Sequence, residues 1–380
     1  MKIAHIDFSG TFNEDMTYQE NMIAKYNVAD GHQVLVITTC YLWDNEGKIV
    51  KIREESKVSA DGYSLVRLEY RHLFNEFISR KIRDIDRGKL IGILDAFSPE
   101  IVILHCFQTR AIKYITSYCG QHRIKFVVDT HSNFYNSARG ILSKYLLHRF
   151  LYRRWLLRAY DFIDRIYYIG YEEKEFMNKV YRIQDDKMQY LPLGGIVLPN
   201  RSLVSIREKI RRELSIADDE VVFVVAGKFD QNKRLGDVIS SFVSANVEAR
   251  LLIVGSIDTT EMEGIDRWLS ASEKILYLGF RTGDELNSIL CSGDVYVQAF
   301  NISAIAQNAI CAGCALILKD TTTYRSLIDT NGFLVNNTDQ LVNAIRCCMN
   351  VANLAAMKAR SLDLAREQYD YKVIAKKIIS

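Results

Sequence analysis

The loop Gly227–Arg234 carries two lysines, Lys228 and Lys233, directly after an apolar run that is typical of a buried strand. A helix is expected to begin near Leu235, just beyond the loop. Ammonium groups at the end of a strand suit a diphosphate, because the N-terminus of the following helix adds backbone N–H groups that favour an anion. A solvated loop that merely contains lysines has the same pattern, so the spacing alone leaves both interpretations open.

Histidines stand at the ends of two further apolar runs. His131 comes just after the expected strand Lys125–Asp129, and ligands of open α/β sheets bind beyond the carboxyl ends of the strands. A binding or catalytic role for His131 therefore stands beside the simpler interpretation of a histidine that lines a cleft or the surface. His105 also ends an expected strand, and for it we favour a structural or cleft-lining role.

Strands and helices alternate along the chain, which predicts parallel sheets with helices on both faces. The expected strands are Ile3–Ile6, Gln33–Thr38, Ile101–His105, Lys125–Asp129 and Arg165–Ile169, and then Glu220–Ala226, Ala249–Val254, Ile275–Leu278, Val295–Gln298, Ala315–Leu318 and Gly332–Val335. Helical periodicity marks Tyr18–Asp30, Arg71–Phe97 and Ser205–Leu214. Two such series predict two Rossmann-like domains, with a boundary in the proline- and glycine-bearing segment Tyr190–Asn200.

Composition narrows the class of protein. A chain of 380 residues suits two domains, and its net charge of +3 is too small to indicate nucleic-acid binding. Of the eight cysteines only Cys311 and Cys314 have CxxC spacing, without a partner pair, which favours free thiols in a reducing compartment over a zinc site. The sequence shows no signal-peptide pattern and no apolar run of membrane-spanning length, so a cytoplasmic protein is expected.

The segment Arg139–Arg158 mixes basic and aromatic residues and contains no Asp or Glu. Its basic residues are Arg139, Lys144, Arg149, Arg153, Arg154 and Arg158, and its aromatic residues are Tyr145, Phe150, Tyr152 and Trp155. This mixture suits the surface of an anionic membrane. On a helical wheel, however, the basic positions spread to all sides, so a partly buried helix whose arginines reach the solvent is the alternative.

The order of motifs along nearly the whole chain resembles glycosyltransferase family 4, whose GT-B fold has two Rossmann-like domains facing a cleft. Gly227-Lys-Phe-x-x-x-Lys-Arg234 resembles the G-R-L-x-x-x-K-G segment of that family, with Lys228 in place of the usual arginine. The other resembling segments are Lys2–Ile6, Asp7–Tyr18 and Asp30–Thr38, then Tyr18–Asn21 in a version seen in bacterial surface-polysaccharide transferases, Leu191–Gly194 between the domains, Leu276–Leu286, and Tyr369–Tyr371 at the end.

The resemblance assigns roles to individual residues. It implies that Lys228 and Lys233 hold the donor diphosphate and that His131 is the catalytic histidine near the donor phosphate and sugar. It places further contacts to the nucleotide or donor at Gly227, Phe280, Arg281, Ile302, Ser303, Ala304 and Asn308, and a loop near donor and acceptor at Gly10 and Thr11. A helix is expected to begin at Ile302–Ala304 with Ser303 as its cap.

One motif of the family is altered. The family has two glutamates eight positions apart, and the register set by Asn308-Ala309 and Cys311-Ala-Gly313 puts Phe300 and Asn308 at those positions. Asn308 can still hydrogen-bond a ribose hydroxyl, although without charge. Phe300 cannot make the sugar contact that the first glutamate makes, and this leaves the donor sugar open and allows a catalytically inactive relative.

The resemblance implies a retaining, metal-independent hexosyltransferase that needs no cofactor. Residues 1–198, together with a C-terminal helix at 369–380, would bind the acceptor, and residues 199–368 the nucleotide sugar, with UDP as the commonest nucleotide. The expected acceptor is a glycan, lipid-linked, in bacterial capsule, O-antigen, lipopolysaccharide or exopolysaccharide assembly, reached from the cytoplasm with peripheral inner-membrane contact through Arg139–Arg158. The alternatives are a non-catalytic GT-B partner or glycan-binding subunit, and a nucleotide-sugar epimerase.

A last motif, Asp84-Ile-Asp86, has the D-x-D form that binds a metal in another glycosyltransferase fold. It lies within a basic stretch that is expected to be helical, Arg80–Lys89, and not at the end of a strand. The sequence therefore predicts a solvated helix face here and no metal site.

Overall fold

The computed structural model describes residues 1–44, 47–73, 75–258, 262, 265–266, 268–269 and 272–380. The chain divides into two compact units. The first unit comprises Met1–Pro192 and Ile374–Ser380, and the second comprises Leu193–Val373. Each unit has its own sheet, and among the described residues every helix is too short or too polar to span a bilayer.

The first unit is built on an eight-stranded sheet in the order β10-β9-β8-β7-β1-β2-β6-β5. Its strands are β1 (Lys2–Asp7), β2 (Gln33–Thr39), β5 (Glu55–Val58), β6 (Ser64–Leu68), β7 (Ile101–His105), β8 (Lys125–Thr130), β9 (Arg165–Tyr168) and β10 (Met188–Tyr190), and β3 (Tyr41–Trp43) and β4 (Ile49–Lys51) form a separate antiparallel pair. All neighbours in the sheet are parallel except β5 and β6. The five strands expected from the sequence are confirmed.

Helices cover this sheet and join its strands. They are α1 (Gln19–Ala29), α2 (Glu76–Ile82), α3 (Arg87–Phe97), α4 (Ile112–His122), α5 (Arg153–Ala159) and α6 (Tyr171–Phe176), with π-helical segments at Ser143–Tyr152 and Met177–Tyr181 and 3₁₀ turns at Tyr160–Phe162 and Asp185–Lys187. The central strands are apolar and buried on both faces, as parallel strands between helix layers must be. Polar groups at their ends are therefore withdrawn from water and need partners.

The expectation of one helix over Arg71–Phe97 is wrong. Arg83 ends α2 in the left-handed conformation, with φ of 52°, and the chain then crosses to α3. Residue 74, within the same stretch, lies outside the described residues. The interruption has a direct consequence for the two aspartates that follow Arg83.

The expectation of a solvated face at Asp84–Asp86 is also wrong for Asp84. The Asp84 side chain is fully buried, with one carboxylate oxygen 3.2 Å from the Tyr114 hydroxyl and the other 3.4 Å from Arg110 Nη1. Asp86 is exposed and caps α3 by accepting the Lys89 N–H at 2.9 Å. Both aspartates thus have structural roles that a helical pattern does not reveal.

The second unit has a six-stranded parallel sheet in the order β13-β12-β11-β14-β15-β16. Its strands are β11 (Val221–Ala226), β12 (Ala249–Val254), β13 (Ile275–Tyr277), β14 (Val295–Gln298), β15 (Ala315–Lys319) and β16 (Gly332–Val335). The order reverses direction at β11, which is the Rossmann arrangement, and ligands of such sheets bind at the carboxyl ends on either side of the reversal. All six strands expected from the sequence are confirmed.

The described helices of the second unit flank this sheet. They are α7 (Asn200–Glu213), α8 (Leu235–Ala245), α9 (Gly283–Ser292), α10 (Ile305–Cys311), α11 (Thr322–Arg325), α12 (Thr338–Cys347) and α13 (Val351–Leu364), with a 3₁₀ turn at Gln231–Lys233 and a π-helical segment at Ala365–Tyr369. The last helix, α14 (Tyr371–Ile379), begins in this unit and ends in the first. Helix α7 begins five residues before the expected Ser205, directly after Pro199, which is its N-cap residue.

Buried arginine anchors α7 to the start of the sheet. Arg211, 1% exposed, donates from Nη2 to Asp294 Oδ2 at 2.7 Å, and Arg207 donates to Asp294 Oδ1 at 2.8 Å. The same carboxylate accepts the backbone N–H of Val222 at 2.9 Å and contacts the ammonium of Lys358 at 2.5 Å. Asp294 is thus the shared acceptor for three cations and one strand.

We expect Asp294→Ala to lower the free energy of unfolding by about 3–5 kcal/mol, because it leaves the Arg211 charge buried without its partner. Glu213→Ala is the matched control, since its pair with Lys209 spans 3.9 Å between exposed side chains and is worth about 0–1 kcal/mol. Urea unfolding followed by circular dichroism measures both changes. Equal effects of the two substitutions would show that Asp294 is not an anchor.

Candidate active site

A buried carboxylate organises the carboxyl ends of β7 and β8 in the first unit. Asp129 has no exposed surface, and its Oδ2 accepts from Nδ1 of His105 at 2.5 Å. Its Oδ1 accepts the backbone N–H of Cys106 at 3.0 Å and lies 3.7 Å from Nε2 of His131. Asp129 therefore sits between two imidazoles, one buried and one partly exposed.

The chain of hydrogen bonds continues inward and determines which imidazole is charged. Asn27 donates from Nδ2 to the carbonyl of Ala375 at 3.1 Å, so its Oδ1 is the acceptor for His5 Nε2–H at 3.0 Å. Nδ1 of His5 must then accept from Nε2 of His105 at 3.1 Å. His105 donates from both nitrogens, to His5 and to Asp129, and is therefore an imidazolium.

The pKa shifts of these two histidines agree with this assignment. Burial, reinforced by the charge of His105, lowers the pKa of His5 to about 3. Burial would also lower the pKa of His105, but the Asp129 carboxylate outweighs it and raises that pKa. His105 thus connects the Asp129 carboxylate to His5 in the interior through two hydrogen bonds.

His131 is the partly exposed member of the cluster. Burial alone would lower its pKa, but Asp129, with smaller contributions from Glu20 and Glu173, raises the pKa of His131 to about 9. At neutral pH its imidazole therefore carries a positive charge. Such a group can donate a hydrogen bond to a phosphate or sugar oxygen, but it has no lone pair with which to accept a proton.

His131 lines a cavity of about 430 Å³ to which the loop after β1 also contributes Ser9. Gly10 lines a second cavity, of about 510 Å³, which shares Ser9 with the first. In the first unit, Gly10 and His131 thus line two cavities that share the lining residue Ser9. Thr11 is half-buried and lines neither of them.

Three groups in this region have metal-ligand chemistry. Cys106, Asp129 and His131 bring one ligand atom each to within 4.8 Å of one another. Their environment suits a cation poorly, because burial raises the pKa of the Cys106 thiol well above its ordinary value and Asp129 already accepts two hydrogen bonds. A thiolate is the form of cysteine that binds metals.

In the second unit, Lys233 lies over Gly227, the residue that directly follows β11. Its Nζ lies 3.5 Å from the carbonyl of Ala226 and only 2.1 Å from where a Cβ of residue 227 would stand, so Gly227 leaves the space that the ammonium occupies. Burial lowers the pKa of Lys233, and Asp230 opposes that shift. Lys228, by contrast, is exposed to solvent.

Phe300, which the resemblance aligns with the first family glutamate, packs into the core. The Arg234 guanidinium lies 4.2 Å from the centroid of the Phe300 ring, within the range of a cation–π contact. Arg234 also bonds Asp237 at 2.5 Å between Nε and Oδ2. The altered motif therefore places an aromatic ring and an arginine side by side at the end of β14.

Helix α10 begins at Ile305, directly after the expected Ile302–Ala304, has seven residues, and has Ala304 and not Ser303 as its N-cap residue. The Ser303 N–H donates to the hydroxyl of Tyr324 at 2.6 Å, and that hydroxyl donates to the Ser303 carbonyl at 3.1 Å. Ser303 Oγ still accepts the Ile305 N–H, at 3.4 Å. The Tyr324 hydroxyl, whose role the sequence does not indicate, thus forms hydrogen bonds with both the N–H and the carbonyl of Ser303.

The remaining expected residues lie on the loop after β13 and on α10. The Phe280 side chain is 72% exposed, Arg281 is exposed, and the preceding Gly279 accepts at 2.8 Å the N–H of Gly255, which follows β12. Asn308 lies on α10 and lines a cavity of about 180 Å³, to which neither aromatic nor basic residues contribute. Because Gly255 contacts the backbone of Gly227, the structure joins the Gly279–Arg281 loop to the loop that carries Gly227 and Lys233.

Sequence reasoning also missed Asp129 as a partner of His131, although the signal was present. Residues two apart in a strand point to the same face. Asp129 and His131 are two apart at the end of β8. A carboxylate at that spacing from a histidine predicts the contact that the structure shows.

We expect the pKa of His131, followed by NMR titration of its ring protons, to fall well below about 9 in Asp129→Asn, because the substitution removes the largest charge that opposes burial and leaves only the smaller contributions of Glu20 and Glu173. In the wild type the shift stabilises the fold fully below pH 6.5 and is lost as the pH rises through about 9. Asp161→Asn, an exposed change elsewhere in the unit, serves as the control. An unchanged titration in Asp129→Asn contradicts the pairing.

Comparison with known proteins identifies the family of the chain. The sequence model of the family described as "Glycosyltransferase Family 4" matches residues 21–194. The family model described as "Glycosyl transferases group 1" matches residues 220–350. An uncharacterized glycosyltransferase, MJ1607, of Methanocaldococcus jannaschii is 24% identical over 65% of this chain and 65% of its own length. The alpha-monoglucosyldiacylglycerol synthase of Acholeplasma laidlawii is 21% identical over 53% of this chain and 54% of its own length.

Solved structures share the fold over the full chain. Anabaena Alr3699/HepE in complex with UDP has a TM-score of 0.67 at 13% identity and covers 100% of this chain and 98% of its own. WaaG, a glycosyltransferase involved in lipopolysaccharide biosynthesis, has a TM-score of 0.59 at 15% identity and covers 99% and 98%. With the two family models matched along most of its length, the chain belongs to glycosyltransferase family 4 and has the GT-B fold of two Rossmann-like domains.

Proposed function

We propose that this glycosyltransferase transfers a sugar from a UDP-sugar to a lipid-linked glycan, with retention of anomeric configuration and without a metal. The part of the proposal that concerns the donor rests on the position of the Lys233 ammonium. It lies over Gly227 at the carboxyl end of the sheet, and no carboxylate oxygen of the described residues comes within 4.0 Å of it. A cation that burial has partly stripped of water, and that lacks an anionic partner, favours an anionic ligand.

Structures of related fold support a nucleotide-sugar donor. Anabaena Alr3699/HepE was solved with UDP and with UDP-glucose. The loop after β11 stands at the reversal of the strand order, where nucleotides bind in Rossmann-like sheets, and the loop after β13 is joined to it through Gly255. We therefore assign the second unit to the donor and the first to the acceptor.

The proposed chemistry is electrostatic. Lys228 and Lys233 neutralise the negative charge that develops on the diphosphate as it leaves, and this is the usual way in which fixed cations lower such a barrier. The His131 imidazolium donates a hydrogen bond to a phosphate or sugar oxygen of a substrate, and the leaving diphosphate takes the proton of the attacking hydroxyl. The lysines supply the positive field that a divalent cation supplies in other transferases, so the proposal needs no metal.

The acceptor half of the proposal rests on an exposed apolar face in the first unit. Ile141 and Leu142 are 80% and 77% exposed, and Tyr145, Leu146 and Phe150 continue the same face along the helical segment. Basic side chains lie among them, with the Arg149 guanidinium 5.4 Å from the Tyr145 ring centroid. Apolar side chains that point to solvent beside cations suit an anionic bilayer, where a lipid-linked acceptor is found.

A non-catalytic GT-B protein remains the second candidate. It is favoured by Phe300, which fills the place of a family glutamate and stacks on Arg234. Such a protein would bind a partner or a glycan without turning over a nucleotide sugar. Calorimetric titration with nucleoside diphosphates separates the two candidates, because the non-catalytic protein binds none of them.

We expect Lys233→Ala to lower the rate of sugar transfer by about 10²–10³-fold, because it removes one cation from the leaving diphosphate. The melting temperature should stay close to that of the wild type, since the ammonium makes no ion pair in the described part of the chain. Lys209→Ala, an exposed lysine of α7, is the control with unchanged rate. A Lys233→Ala enzyme with the wild-type rate would refute the diphosphate assignment.

We expect Ile141→Ser with Leu142→Ser to weaken co-sedimentation with phosphatidylglycerol vesicles at least about tenfold, because each apolar side chain contributes about 1.5–3 kcal/mol when it leaves water. Val204→Ser with Val351→Ser removes two exposed apolar side chains from the second unit and serves as the matched control. Equal vesicle binding by the two double variants contradicts the assignment of the membrane-facing surface.

A further inference from the structure

The cavity of about 430 Å³ beside His131 has an unusual charge. Four cationic side chains line it, those of Lys81, Arg83, Arg139 and His131, and no Asp or Glu lines it. We call it the cationic cavity. Since the whole chain carries only a small net charge, this concentration of one sign is a local feature.

His131 faces the Asp129 carboxylate at 3.7 Å, but the other three cations of the cavity make no ion pair within the described residues. Arg83 donates from Nε to the carbonyl of Arg80 at 3.2 Å and from Nη1 to that of Gln108 at 3.4 Å, and Arg139 donates to the carbonyl of Tyr135. Throughout the described ranges, no carboxylate oxygen lies within 4.0 Å of Lys81, Arg83 or Arg139. Carbonyl contacts orient a guanidinium but leave its charge uncompensated.

The backbone fixes Arg83 at this place. Its left-handed conformation ends α2, and its carbonyl accepts the Thr109 hydroxyl at 2.6 Å. The neighbouring Ile82 carbonyl accepts the Arg110 N–H at 3.0 Å. A bulky residue in a left-handed conformation is uncommon and is found where the surrounding structure holds it, often at a ligand site.

His148, a buried residue that lines the cationic cavity, is affected by the positive charges of this cavity. Burial lowers the pKa of His148 to about 4, and the charges of Arg83 and Lys81 act in the same direction. Neutral hydrogen-bonding groups complete the lining, including the hydroxyls of Ser9 and Ser132. The cavity therefore offers cations for an anion and hydroxyls for a polyol.

We propose that the cationic cavity binds a phosphate or diphosphate group of the acceptor, so that the acceptor is a phosphorylated molecule and not a neutral glycan. Calling this ligand the acceptor rests on the proposed function, which assigns the first unit to that substrate. Phosphate is the anion that this cavity suits, because arginine binds it through two parallel hydrogen bonds and lysine adds a point charge.

The anion can come from a free sugar phosphate or from the headgroup of a lipid. Ser143 and Leu147 of the segment Ser143–Tyr152 line the cavity, while Tyr145, Leu146 and Phe150 of that segment are exposed. A diphosphate in the cavity therefore lies beside the apolar face that we assign to the membrane. The two sources share one chemistry, and the experiment separates them.

The test titrates the full chain with inorganic pyrophosphate by calorimetry in a Lys228→Ala/Lys233→Ala background, which removes the proposed diphosphate site of the second unit. We expect pyrophosphate to bind in this background. Adding Lys81→Gln or Arg139→Gln, both exposed side chains, should weaken binding about tenfold each, since each removes a hydrogen bond to a charged group. Adding Arg53→Gln, an exposed arginine of the same unit outside the cavity, should leave it unchanged.

Farnesyl diphosphate in the same background identifies the source of the anion. Tighter binding than pyrophosphate, reduced by Lys81→Gln, supports a lipid headgroup, and equal binding reduced by Lys81→Gln supports a free phosphorylated molecule. Loss of all pyrophosphate binding in the Lys228→Ala/Lys233→Ala background overturns the proposal and leaves the donor site intact. Pyrophosphate binding that persists and is unchanged by Lys81→Gln and by Arg139→Gln also overturns the proposal. Failure of the proposed function is distinguished from these results, because it appears as absence of nucleotide-sugar turnover by the wild type.

Discussion

A backbone contact between two glycines sets the geometry on which the candidate donor site depends. A Cβ at Gly255 would stand 1.8 Å from the carbonyl oxygen of Gly227, so the loops after β12 and β11 meet without side chains between them. The Gly227 N–H donates to Val254 at 2.9 Å and the Gly255 N–H to Gly279 at 2.8 Å, so three successive loops are joined in a row. Lys233 then folds back over Gly227, where any larger residue would displace its ammonium.

The distribution of charge follows a common rule in both units. Two buried carboxylates are paired with cations inside the protein. Asp129 pairs with the His105 imidazolium, and Asp294 pairs with Arg207 and Arg211. Lys233 after β11 and, apart from His131, the cations of the cationic cavity have no such partners among the described residues. Because paired charges stabilise the fold and unpaired ones attract ligands, this asymmetry indicates where anionic substrates bind.

How far the sequence predicts this protein depends on the kind of interaction involved. Continuous apolar runs such as Ile101–His105 and Val221–Ala226 identify the central strands, because only a strand covered on both faces is apolar throughout. The break between α2 and α3 is not predictable from periodicity, since it depends on the left-handed conformation of Arg83. The burial of Asp84 follows from that break and escapes prediction for the same reason.

The candidate sites show a similar division. The two lysines of the Gly227–Arg234 loop follow an apolar run within the same short segment of sequence, so their place at a strand end is predictable. The cationic cavity combines Lys81 and Arg83 with Arg139 and His131 from distant segments, and only the tertiary fold brings them together. A helical wheel of the charges does not reveal the exposed face of Ile141–Phe150, because apolar side chains define that face.

The central claim is that the second unit holds the diphosphate of a nucleotide-sugar donor. Calorimetric titration of the full chain with UDP and with UMP tests it most directly, because the two ligands differ only in the phosphate that the lysines would contact. The account predicts that UDP binds at least about tenfold more tightly than UMP, the contribution of one charge-assisted hydrogen bond. Equal affinities, or no binding of either nucleotide, would contradict it.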